Sequence, residues 1–148
     1  MNNKKVRIRS VLKTARYLKY GRCIYLHIGR VEEISAILDE LGSSIEEIEG
    51  CAVVSIEGLP IASSLPEGID DTKIAAMTAA MLSLGERAVL EIGKGALQRV
   101  FTEGENGFLI AINAGPNAVL TVIASQEAKL GLLFLDIRRA AERIATLI

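Results

Sequence analysis

Residues 51–56, CAVVSI, are apolar at consecutive positions. Side chains of an extended chain point alternately to opposite faces. A strand built from them is therefore apolar on both faces and needs cover from above and below. Glu57-Gly58 follows, a turn pair that tolerates positive φ. LPIASS, residues 59–64, reads as the returning strand. Pro60 cannot donate a ladder bond, so it belongs near the start of that strand or on a sheet edge.

The flanking segments supply the cover. Val31, Ile34, Leu38 and Leu41 step along one helix face, with Glu32, Glu33, Asp39 and Glu40 on the other. Gly42 is read as the stop of this helix. Ser44 and Glu47 have the spacing of a capping box, which predicts a short helical turn ending at Gly50. Asp70 or Asp71 is placed to cap a helix over residues 71–92. Its main apolar stripe is read as Ile74, Met77, Met81, Leu84, Ala88 and Ile92. Three strands are predicted next, Leu97–Glu103, Phe108–Asn113 and Ala118–Ala124, joined by turns at GENG and AGPN. Leu130, Leu133, Phe134, Ile137, Ala141, Ile144 and Ile148 then mark a strongly amphipathic last helix. The order α-β-β-α-β-β-β-α predicts a three-layer α/β/α sandwich around a five-stranded, mostly antiparallel sheet.

At 148 residues the chain suffices for one core. Half of it is hydrophobic but 4% is aromatic, so that core is aliphatic. Charge divides the chain. Residues 1–30 carry nine basic side chains and no acid, against eight basic and eighteen acidic in the remainder. Within this segment Ile8, Val11, Leu12, Ala15 and Leu18 recur at helical spacing, and Cys23–Ile28 is read as a short strand. Residues 1–30 suit a basic amphipathic helix for an anionic membrane or a nucleic acid. A simple tail, or a gene start set too early with Val31 the true beginning, is the preferred reading. No apolar run is long enough for a membrane span, and no signal-peptide pattern follows the basic start. Cys23 and Cys51 form no CxxC or metal spacing, which fits reduced thiols and a cytoplasmic location.

Ser63 and Ser64 are the candidate nucleophiles, but nucleophilic catalysis needs a base within reach. The single histidine, His27, is far away in sequence, and no Gly-x-Ser-x-Gly elbow occurs. GERAVLEIGKGA lacks the glycine spacing and the Ser or Thr of a phosphate loop. IGKG reads instead as a helix stop, with a left-handed glycine and Lys94 set against the helix dipole. No catalytic, cofactor-binding or metal-binding residue is assigned, and the chain is expected not to be an enzyme and to need no cofactor.

Two surfaces suggest association instead. Wound at 100° per residue, the side of the second helix opposite its main stripe collects Ala76, Ala79, Ala80, Ser83, Glu86, Arg87 and Leu90. Small side chains there let another helix approach closely. Strand 97–103, with Leu97, Arg99 and Phe101, opens the meander and is expected at a sheet edge, where natural sheets need protection. Pairing of two such edges would give a symmetric dimer with one continuous sheet.

The stretches GCAVVSIEGLPIASSLPEGID, KIAAMTAAMLSLGERAVLEIGKG and LGLLFLDIRRAAERI together resemble the Roadblock family from about residue 31 to 148. That family includes dynein light chains, bacterial Mgl-type regulators of a Ras-like GTPase, and archaeal stand-alone copies. The resemblance implies the same sandwich, a homodimer made by the middle strand and second helix, and no catalytic residues of its own. It further implies binding of a small GTPase with control of its nucleotide state, or scaffolding of motor and signalling complexes. It does not extend to residues 1–30. Two other functions fit the residues: an adaptor tethered by the basic N-terminus, and a sensor holding a small ligand between helix and sheet.

Overall fold

A computed structural model of the chain describes residues 21–148. The helical periodicity read between Ile8 and Leu18 lies outside them. The elements are α1 (Gly21–Ser44), β1 (Ile48–Ser55), β2 (Pro60–Ser64), α2 (Asp71–Glu91), β3 (Val100–Gly104), β4 (Gly107–Asn113), β5 (Ala118–Ser125) and α3 (Leu130–Ala145). The five strands form one sheet in the order β2-β1-β5-β4-β3, and every neighbouring pair is antiparallel.

The doubly apolar β1 lies inside the sheet, between β2 and β5. Its side chains divide as the alternation requires. Cys51 and Val53 join a core with Leu38 and Leu41 of α1 and Leu133, Ile137 and Ile144 of α3. Ala52 and Val54 face the opposite way, toward Ala75 and Leu82 of α2. Two helices thus cover one face and one helix the other, which is the expected three-layer sandwich. Leu38, Ile137 and Ile144 are sealed from water; full burial of a side chain of this size contributes about 1.5–3 kcal/mol.

Turns sit where the sequence places them. Gly58, at φ 87°, closes the β1–β2 hairpin, with Gly58 N–H on Ser55 O and Ser55 N–H on Leu59 O. This is a type I turn followed by a left-handed residue. Asp70 caps α2: its Oδ1 accepts from the N–H groups of Thr72 and Lys73 at 2.9 and 3.2 Å. At the other end Gly93 has φ 68° and Lys94 N–H reaches back to Val89 O at 2.8 Å. That is the helix stop read from IGKG.

The structure corrects several local readings. Gly42 does not end α1, which continues to Ser44. There is no capping box at Ser44. Its hydroxyl donates back to Leu41 O at 2.9 Å in the last turn of α1, and residues 45–47 turn directly into β1 through Ile48 N–H on Ile45 O. Ile45 and Ile48 are both buried, and a turn seats both of them with fewer residues than a helical segment. Residues 23–28 are helical, not a strand. Extending an existing helix needs no new nucleus, so local strand preference yields. The third strand starts at Val100 rather than Leu97.

A further correction concerns α2. The side chains it buries are Ile74, Ala75, Thr78 and Leu82, so of the expected stripe only Ile74 is buried. Ala52 and Ala111 of the sheet meet Ala75 of the helix, and the hydroxyls of Thr78 and Thr121 pair at 3.1 Å across the contact. Gly85 lies so close that a Cβ there would be 3.2 Å from Val100 Cγ2. The helix approaches the sheet through small side chains, which leaves Met77, Leu84 and Ile92 in water at 51%, 69% and 65% exposure.

Candidate functional site: an open sheet edge beside α2

The two edges of the sheet differ. On β2, Pro60 stands at the strand's start and α1 packs over the strand. On β3 only Val100 is half-buried, and Phe101, Thr102, Glu103 and Gly104 are exposed. Among the described residues no strand pairs with the outer side of β3. Its backbone donors and acceptors there are a template for another strand.

α2 lies alongside this edge. Thr102 Oγ1 contacts Met81 Sδ at 3.7 Å, and Leu97 and Val100 pack around Gly85. Met77, Leu84 and Ala88 follow Met81 at helical spacing, so the apolar strip misread as core borders β3. Its residues are half-buried or exposed.

The residues proposed from the sequence fall as follows. Ala76, Ala80, Ser83, Arg87 and Leu90 are exposed on α2. Ala79 is half-buried, against the hairpin turn at Gly58. Leu97 precedes β3 and packs on α2, so it is no strand residue. Arg99 and Phe101 lie on the other side of the sheet, the side of α3. The Arg99 guanidinium stands 4.5 Å from the Phe134 ring centroid. Phe101 packs against Phe108 at 5.2 Å and Phe134 at 6.0 Å, yet remains 38% exposed. Sequence reasoning missed Met77, Met81, Leu84 and Ala88 as surface residues. The signal available was the run of Ala and Gly at the other helical positions, the mark of close packing against a sheet.

Ser63 is buried within β2 and Ser64 half-buried at its end. Among the described residues no group of three or more His, Cys, Asp or Glu lies together as a metal site would require. An open groove of about 410 Å³ runs between α3 and the end of β4, lined in part by Leu97, Ile112, Arg138 and Glu142. No described helix is long and apolar enough to cross a membrane. Electrostatics away from the edge is sparse. Arg143 of α3 meets Glu40 of α1 at 2.8 Å. The hydrogen bond from Arg143 holds the Glu40 carboxyl below the usual carboxylate range.

Residues 35–124 match the family model of the Roadblock/LC7 domain. The chain belongs to that family. Two uncharacterized proteins of Methanocaldococcus jannaschii are 39% and 38% identical to it over 111 residues, 75% of this chain and 96% of each relative. Among solved structures, an MglB with a tetrameric arrangement superposes with a TM-score of 0.74 at 21% identity, covering 80% of this chain and 89% of that one. Myxococcus xanthus MglB superposes at 0.72 with 26% identity, covering 80% and 92%. The Roadblock sandwich expected from the quoted motifs is therefore the fold of this chain.

Proposed function

We propose that this Roadblock chain is a non-enzymatic homodimeric regulator or scaffold that binds a Ras-like small GTPase and influences its nucleotide state. The observation that carries the association half is the open β3 edge lying beside the half-buried to exposed strip of Met77, Met81, Leu84 and Ala88. Antiparallel pairing of two β3 edges satisfies the outward backbone groups and brings the two α2 strips together about a two-fold axis. Burying both elements from each copy gives an interface of ordinary stable-dimer character. Ala76, Ala80, Ser83, Arg87 and Leu90 then stay on the outer side of the paired α2 helices, a surface for the GTPase. Support for the GTPase half is family membership and the likeness to MglB structures.

The test has two arms. Light scattering at micromolar concentration is expected to give the mass of a dimer; a strict monomer removes the interface. Pull-down and nucleotide-hydrolysis assays with the small GTPases of the same genome are expected to find one that binds in at least one nucleotide state. Binding to none of them in either state removes the regulator reading.

A further inference from the structure

The β4–β5 loop establishes which backbone groups of β3 face outward. Ala114 N–H donates to Ala118 O at 2.8 Å. Antiparallel ladders alternate, so Ile112, Ile110 and Phe108 direct their backbone groups to β5. Leu109 and Ala111 therefore bond to β3, where they stand opposite Thr102 and Val100. Phe101 and Glu103 are left with N–H and C=O aimed away from the sheet. A second copy pairing antiparallel at this edge can be centred on Phe101 or on Thr102, since the backbone permits both.

Side chains separate the two registers. Arg99 and Phe101 both reach the Phe134 ring, so they share the face of the sheet covered by α3. Glu103, two positions on from Phe101, shares it too. This face of the edge thus reads Arg, Phe, Glu at alternate positions. Centred on Phe101, pairing sets Arg99 against the partner's Glu103, Phe101 against the partner's Phe101, and Glu103 against the partner's Arg99. On the opposite face Val100 meets the partner's Thr102. Centred on Thr102, pairing instead sets each Phe101 against the partner's Glu103 and each Arg99 against the partner's Glu105, and leaves no aromatic pair. Aromatic and opposite-charge pairs stabilise adjacent strands, and like charges directly opposite destabilise them. Neither Arg99 nor Glu103 has an ion-pair partner within its own protomer among the described residues.

We propose that Arg99-Val-Phe-Thr-Glu103 is a self-complementary edge that selects a second copy of this chain in the register centred on Phe101, with Arg99 and Glu103 as the residues that tell self from other edges. The inference rests on the homodimer reading and adds its register and its specificity. A chain with a different charge order on its edge is rejected by two like-charge contacts, one on each side of the two-fold axis.

Charge exchange tests this. Arg99→Glu alone and Glu103→Arg alone are each expected to weaken self-association about tenfold, because each turns two attractive pairs into repulsive ones. The double variant R99E/E103R is expected to recover self-association and to refuse the unaltered chain. Mixing the two single variants is expected to give a one-to-one heterodimer, read by native mass spectrometry. Glu103 is exposed, so E103R leaves the packing of the protomer untouched; circular dichroism checks that R99E, which gives up the Phe134 contact, is folded. Single variants that associate like the unaltered chain, or a double variant that stays dissociated, overturn the proposal. Rescue of R99E by E105K in place of E103R also overturns it, in favour of the register centred on Thr102. If the unaltered chain is itself a monomer, the homodimer reading fails first; if it is a dimer indifferent to these charges, only the register fails.

Discussion

Gly107 sits under a tight steric demand. It has φ 155°, and a Cβ added there would overlap the carbonyl oxygen of Ala124 on β5. Gly107→Ala combines backbone strain with a clash against backbone, and is expected to lower stability by on the order of 3 kcal/mol. Urea titration with an unchanged m-value checks it. Glu40 makes a different kind of prediction. Its pKa is lowered in the folded state by Arg143, so the bridge stabilises the fold above the unfolded-state carboxyl pKa. That contribution is lost as the pH falls through the lower, folded value. Melting temperatures of the unaltered chain and Glu40→Gln are therefore expected to differ slightly at pH 7 and to converge at lower pH. The difference at pH 7 should also shrink in high salt, since both side chains are more than half exposed. Much at this scale was legible in advance. Gly58, Asp70 and Gly93 sit in the turn and the two caps assigned to them, because turns and caps depend on neighbours within four or five residues. Ser44 was misread for the same local reason: Ser at position i and Glu at i+3 satisfy a capping box on paper, but the hydroxyl meets the Leu41 carbonyl first.

Elements were harder to read by face than by existence. The five strands expected of the sheet are present, though not the one read at Cys23–Ile28, and so are the helices read at Val31–Leu41, 71–92 and the C-terminus. The last helix buries Leu133, Ile137, Ala141 and Ile144 as its periodicity demands. α2 does not follow that rule. Periodicity weighs residues by size and hydrophobicity, yet α2 meets the sheet through Ala75, Thr78 and Leu82 while Met77 and Leu84 stay exposed. Thr78, a polar residue by any scale, is fully buried because Thr121 stands across from it. No window within α2 contains that information. The consequence is a strip of Met77, Met81, Leu84 and Ala88 beside an open edge, and it yields a direct prediction. Leu84→Asp, at 69% exposure, is expected to leave the circular dichroism of the protomer unchanged and to shift the mass in light scattering from dimer to monomer. A variant that remains a dimer places the interface elsewhere.

For the whole molecule the central question is whether one copy is the working unit. If two copies share a sheet, folding and association are linked, and the melting temperature rises with protein concentration. We expect that rise for the unaltered chain across the micromolar range and none for Leu84→Asp. The charge contrast between residues 1–30 and the rest bears on tethering rather than on the sandwich. Anionic-liposome and DNA binding by the full chain, set against a chain beginning at Gly21, reads the contribution of the seven basic residues that precede α1. The amino-acid sequence by itself determined the layers: a doubly apolar β1, antiparallel turns and amphipathic flanks admit little besides helices on both faces of one sheet. It also carried the family, because EGLPIASS with its neighbouring helices is a local pattern. Only the tertiary structure decided which side of α2 meets the sheet, which edge is left open, and that Arg99 and Phe101 share a face with Phe134. Those outcomes depend on contacts between residues tens of positions apart, where the fit of small side chains against the sheet outweighs the hydrophobicity of any single stripe.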